Sequence, residues 1–119
     1  MTKRFFLVFP AIFIICILLT ACAPKAEIDI RGEWQYTMID SFGNTYDSGT
    51  ITFSGTPEKG TYLQINIYDV AYEGAFTVKG SDIQLSGYET WSGKVSEANS
   101  INGSWEHEDG ANGTFQANR

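Results

Sequence analysis

Two patterns of hydrophobicity divide this 119-residue chain. From Phe5 to Leu19 apolar side chains run almost without interruption behind a basic start at Lys3 and Arg4. From Gly32 onward apolar and polar residues alternate with period two in short segments, and all twelve glycines lie between Gly32 and Gly113. Such alternation places one set of side chains on one face of a strand. Short runs rich in Thr, Ile, Val, Tyr, Phe and Trp between glycine-bearing turns predict an all-β domain without helices.

The expected inward sets are Trp34, Tyr36 and Met38; Ile51 and Phe53; Leu63, Ile65 and Ile67; Val70, Tyr72, Phe76 and Val78 with Gly74 among them; Ile83 and Leu85; Trp91 and Val95; Ile101 and Trp105; Phe115 and Ala117. Turns are expected at Ser41-Phe42-Gly43-Asn44, at 55–60 and at 79–82. The inward parity changes from odd to even between Ile67 and Val70. A one-residue slip turns every side chain to the other face, so a hairpin at Asp69 or a bulge must intervene there. Seven or eight strands follow, depending on which. Successive short strands form an antiparallel meander, and closing it removes its two raw edges. The predicted fold is a small up-and-down β-barrel with the strand of Trp34 beside that of Phe115, and a two-sheet β-sandwich is the alternative.

The apolar leader ends in Leu19-Thr20-Ala21-Cys22. Its run of about 15 residues is short of the roughly 20 that span a bilayer. A basic start, an apolar middle and a Leu-small-small-Cys end resemble a bacterial lipoprotein signal. The resemblance implies cleavage before Cys22 and a diacylglycerol thioether, a palmitate-type anchor, on that sulfur. Residues 1–21 are then signal peptide, 22–30 a tether and 31–119 the barrel domain. Two or more acyl chains hold a protein stably, whereas one does so only marginally. Ala23, where an inner-membrane lipoprotein would carry Asp, implies the outer membrane if the envelope has one. The expected location is therefore a cell membrane or outer membrane, with the domain facing the periplasm or exterior.

Without its leader the chain carries six Lys and Arg against fourteen Asp and Glu, a formal charge of −8. That excess repels phosphate backbones and excludes nucleic acid as a partner. With Cys16 in the leader and Cys22 on lipid, the mature domain has no disulfide and stabilises itself by packing. Three Trp, six Tyr and four Phe make this feasible, since each buried aromatic removes about 150–250 Å² from water.

Gly32-Glu33-Trp34 and the Gly113-Thr114-Phe115-Gln116-Ala117 ending are similar to small lipocalin-like barrel lipoproteins. Thr90-Trp91-Ser92-Gly93 followed by Asn102-Gly103-Ser104-Trp105 resembles avidin-type barrels, in which the two Trp wall the biotin pocket. The resemblance implies that Trp91 and Trp105 line a cavity. The chain departs from it where the ureido group is gripped: Gln35 and Tyr36 follow Trp34, and Gly113 stands at the position of the avidin Asp. Biotin is therefore not the expected ligand.

Trp34, Tyr36, Tyr72, Trp91 and Trp105 are the candidate ligand-binding residues, because an eight-stranded barrel has room for its own side chains or one small ligand. The alternative is that these five simply fill it. Glu106-His107-Glu108-Asp109 holds the single His of the chain. Its side chains alternate between faces and run into Gly110, which reads as a solvated hairpin tip rather than a metal site. The run 55–61 lacks the Gly-Lys-Ser/Thr ending of a phosphate loop. No Gly-x-Ser-x-Gly elbow occurs and no Cys remains as a nucleophile. No catalytic residue, cofactor or metal is expected. The expected function is a non-enzymatic, lipid-anchored binding protein for a small apolar or aromatic ligand. The alternative is a protein-interaction module, such as an inhibitor of an envelope hydrolase or an accessory subunit.

Overall fold

The computed structural model describes residues 24–119; the leader and Cys22 lie outside the described residues. Eight antiparallel strands form one closed barrel in sequence order. They are β1 (Gly32–Asp40), β2 (Thr45–Gly55), β3 (Lys59–Asn66), β4 (Ala71–Lys79), β5 (Asp82–Ser86), β6 (Thr90–Glu97), β7 (Ser100–Glu106) and β8 (Asn112–Asn118). β1 pairs with β2 on one side and with β8 on the other, Met38 opposite Phe115, and this last pairing shuts the ring. The meander expectation therefore holds with eight strands, and there is no second sheet among the described residues.

Alternation fills the interior as expected along seven strands. Trp34, Tyr36, Met38, Ile51, Phe53, Phe76, Val78, Ile83, Leu85, Trp91, Val95, Ile101, Trp105, Phe115 and Ala117 are all buried. Strand β3 is the exception. Its inward residues are Tyr62 and Gln64, not Leu63, Ile65 and Ile67; Leu63 is 38% exposed and Ile67 lies 67% exposed in the following loop. Hairpin register decides this, because Phe53 stands opposite Tyr62 and Ile51 opposite Gln64, and directly paired residues share a face. The parity change therefore falls in the β2–β3 turn, and β3 and β4 both point even-numbered residues inward. The hairpin at Asp69 is real. Asp69 has φ +60°, and the Asn66 Oδ1 accepts from the Tyr68 and Val70 amides at 2.9 and 3.0 Å. Val70 is consequently a turn residue, 43% exposed, rather than an inward strand residue.

The ends of the barrel differ. The segment expected to be a free tether docks from Lys25 onward across the end that carries the β2–β3, β4–β5 and β6–β7 turns. Ala26 pairs with Gly80 in the β4–β5 turn, its amide donates to Glu58 Oε2 at 3.2 Å, and Ile30 is fully buried. Arg119 locks this lid. Its guanidinium lies 4.4 Å over the Trp34 ring and donates to the carbonyls of Asp29, Arg31 and Ala98 at 2.9, 3.3 and 2.9 Å. Trp34 Nε1 in turn donates to the Ile30 carbonyl at 2.8 Å. One side chain thus satisfies three backbone groups and covers the aromatic floor of the barrel. The opposite end, bounded by the loops at 40–45, 66–71, 86–90 and 106–112, has no such segment across it among the described residues and is called the mouth below.

Arg119→Ala removes a surface cation–π contact and three charge-assisted hydrogen bonds. It should lower stability by about 1–2 kcal/mol, a fall in Tm of roughly 5–15 °C. Arg119→Lys, which keeps the charge but loses the planar fork, should fall between the two in thermal melts followed by circular dichroism.

Candidate functional site

Aromatic rings concentrate in the mouth half. Trp91 and Trp105 are direct neighbours across β6 and β7. Tyr36 meets Trp91 edge-on at 5.6 Å, and Phe115 packs on the other side of Trp91 at 4.7 Å. Tyr46 stacks on Trp105 at 4.3 Å. Tyr72 stacks on Tyr88 at 4.7 Å, and His107 continues that column at 4.6 Å. The mouth therefore brings together four of the five residues expected to bind ligand: Tyr36, Tyr72, Trp91 and Trp105. Trp34 lies at the lidded end under Arg119 and takes no part. His107 does not project from a solvated tip. Its side chain is only 16% exposed and folds back against Tyr88, while Glu106, Glu108 and Asp109 stay on the surface.

Sequence reasoning missed the polar members of this site. Gln64 is fully buried and Glu89 is 3% exposed, the two polar side chains buried in the core. Gln64 Nε2 donates to the Tyr36 hydroxyl at 3.1 Å and reaches Asp47 Oδ2 at 3.4 Å; the Tyr36 hydroxyl donates to Asp47 at 3.1 Å. Burial pushes the Glu89 carboxyl up to about 7; His107 opposes this and the Asp47 charge reinforces it. Glu89 is close enough for its charge to raise the hydroxyl pKa of Tyr36, Tyr46, Tyr62 and Tyr72, each shifted upward chiefly by desolvation. The signal for Glu89 was parity, since it precedes Trp91 by two residues and shares its inward face. For Tyr62 and Gln64 the misleading signal was the aliphatic run on the other face of β3.

Tyr62 shows how tightly one wall is built. A Cβ on Gly74 would lie 2.5 Å from the Tyr62 ring, and a Cβ on Gly87 would collide with its hydroxyl oxygen. Two glycines therefore make the space this ring occupies. Its hydroxyl still has no hydrogen-bond partner, and neither has Gln64 Oε1 or Trp91 Nε1. Most buried polar atoms are paired in native folds, and each that is left without a partner, as these three are, costs about 1–3 kcal/mol. Together they offer an acceptor on Gln64, a donor on Trp91 and a hydroxyl on Tyr62 that can serve as either.

No family model matches the chain, and no curated protein matches it. Among solved structures it is similar to a redesigned β-barrel, mFAP1, bound to DFHBI, with TM-score 0.60 and 17% identity over 76% of this chain and 94% of that one. It is also similar to the redesigned barrel b11L5F_LGL, with TM-score 0.57 and 18% identity over 76% and 90% of the two chains. A fluorescence-activating β-barrel designed de novo matches with TM-score 0.55 and 17% identity over 76% and 94%. At these identities the likeness is one of fold.

Two outcomes follow for stability. Tyr62→Phe deletes an unpaired buried hydroxyl while keeping the ring, and should leave stability unchanged or raise it by about 1 kcal/mol in urea unfolding. Glu89 ionises near 7 in the fold against 4.5 in its ordinary state, so the folded protein holds this proton more tightly than the unfolded chain. Its burial is tolerated below that ordinary value and becomes increasingly destabilising as pH rises through and above 7, to about 3 kcal/mol at most. Glu89→Gln should therefore unfold at higher urea than wild type at about pH 8, with the gain shrinking toward about pH 5.

Proposed function

We propose that this protein is a lipid-anchored cell-envelope barrel that binds a small molecule with an apolar or aromatic body at its mouth and performs no chemistry on it. The observation that carries this reading is the set of unpaired polar atoms on Tyr62, Gln64 and Trp91 in an interior packed with aromatic rings. Ligand sites are mostly apolar surfaces with a few convergent polar groups that fix orientation. That a redesigned barrel of similar fold is bound to DFHBI supports the idea that such a barrel admits a small compound.

The anchor gives the barrel an orientation. Cys22 is three residues from the docked Lys25, a reach of about 10 Å at full extension. Lipid on Cys22 would hold the lidded end against the bilayer and turn the mouth toward the periplasm or exterior. Lys25, Arg31, Lys59, Lys79, Lys94 and Arg119 all belong to that lidded half, where six acids balance them, so the surplus negative charge that anionic headgroups would repel lies at the other end.

A second reading, a protein-docking rim, has one observation in its favour. Phe42, Tyr68 and Ile67 are 87%, 78% and 67% exposed on the β1–β2 and β3–β4 loops at the mouth. Exposed aromatic clusters mark interaction sites. The joint variant Phe42→Ser, Tyr68→Ser separates the readings, because it removes a docking rim and leaves the interior rings in place.

Tryptophan emission of the full-length protein in non-ionic detergent, titrated with a panel of planar aromatic compounds, should show a saturable change that Trp91→Phe diminishes and the rim variant preserves. A flat response across the panel removes the ligand reading. Mass spectrometry should find a diacylated N-terminal Cys22, and Cys22→Ala should shift the protein from the membrane to the soluble fraction.

A further inference from the structure

We infer that the ligand class is a small organic cation, an ammonium or quaternary ammonium group on an apolar or aromatic body, with its charge seated against Glu89. This rests on the mouth being a ligand site and adds the chemistry of what enters it. Charge segregation along the barrel axis is the first support. Among the described residues the mouth half holds Asp40, Asp47, Asp69, Glu73, Glu89, Glu106, Glu108 and Asp109, and neither Lys nor Arg. In the lidded half the six basic residues are balanced in number by Glu27, Asp29, Glu33, Glu58, Asp82 and Glu97. The whole net charge of the domain therefore sits at one end, and a surface of one sign raises the local concentration of counter-ions.

Burial is the second support. Glu89 is 3% exposed, and the group of opposite sign near it is His107. A carboxylate so placed is costly unless a cation reaches it. Within range of its charge are Tyr36 from β1, Tyr46 and Asp47 from β2, Tyr62 from β3, Tyr72 from β4 and His107 from the β7–β8 loop; Trp105 stacks on Tyr46, and Tyr88 lies between Tyr72 and His107. Faces of Tyr and Trp attract cations, and rings surrounding a carboxylate form a cage for an ammonium head. The fully buried Gln64, bonded to Tyr36 and Asp47, adds a free acceptor, Oε1, which a protonated amine can use. Among the described residues no three of His, Cys, Asp and Glu converge as a metal site requires, so the fit is to an organic cation.

The probes are benzyltrimethylammonium, neutral benzyl alcohol and anionic benzoate, titrated by calorimetry and tryptophan emission into the full-length protein in non-ionic detergent. The quaternary head cannot titrate, so any pH effect belongs to the protein. The cation should bind at least ~10-fold more tightly than either control. Its affinity should rise ~10-fold between about pH 5.5 and about pH 8, as Glu89 loses its proton. Glu89→Gln should cost the cation ~10-fold and abolish that rise, while benzyl alcohol changes less than ~2-fold. His107→Ala should keep the rise, and Asp47→Asn, a second variant should Glu89→Gln misfold, should weaken the cation alone. Equal binding of benzyl alcohol or benzoate, or a cation affinity indifferent to Glu89→Gln, overturns the inference and leaves the mouth a ligand site. Binding of planar aromatics without binding of the cation does the same. Silence of every compound sinks both readings.

Discussion

Pairing of β1 with β8 is the constraint from which the other features follow. Once Met38 stands opposite Phe115, the ribbon has no edge, and the interior volume is fixed by the number and tilt of the strands rather than by the residues available to fill it. A domain of this length without a disulfide must fill that volume with large rings. Three Trp, three Phe and the buried Tyr36 and Tyr62 suffice only if glycines clear space for them, as Gly74 and Gly87 do for Tyr62. Closure thus accounts for the aromatic content and the glycine spacing together.

The interior is not filled with one kind of material. Toward the lid it is apolar and fully sealed, with Ile30, Trp34, Val78, Ile83, Val95 and Ile101 beneath the Arg119 clasp. Toward the mouth it becomes polar, with Gln64, Asp47, Glu89 and several hydroxyls. A core selected only for stability would hold aliphatic side chains in both halves, because each unpaired or desolvated polar group is a net cost. The stable half can carry the strained one, and the hydrogen-bonded lid is what allows the other end to depart from good packing. Sites that bind or react commonly sit where local rules are broken against a well-packed background.

Most of the fold was legible in the chain because it is written in period-two alternation, which closure leaves intact. The face of β3 was not. Tyr62-Leu63-Gln64-Ile65 presents aliphatic residues on one parity and a polar-tipped ring with an amide on the other, and a hydrophobic reading prefers the wrong one. The decision is made by the register with β2, a long-range quantity. The same substitution of polar for apolar hid most of the candidate site. Trp91, Trp105, Tyr36 and Tyr72 could be named as large inward rings, but Glu89 and Gln64 look like surface residues until a closed barrel turns them inside. His107 was misjudged for a related reason: nothing local tells a turn histidine to fold back over a neighbouring loop's tyrosine.

Those misreadings share a physical cause that bears on function. Patterning reports where water is excluded on average, and it assigns polar residues to the outside because burial without a partner is unfavourable. Where the fold overrides that assignment at several neighbouring positions at once, the missing partner must come from outside the chain or the cost stands uncompensated. Glu89 supplies a buried acceptor, Trp91 a buried donor and Tyr62 a hydroxyl, on three different strands or loops that meet only when the ring is shut. Convergence from separate elements distinguishes this group from a single tolerated defect. All six basic side chains of the described residues lie in the lidded half, so within the chain Glu89 has no Lys or Arg beside it in the mouth half.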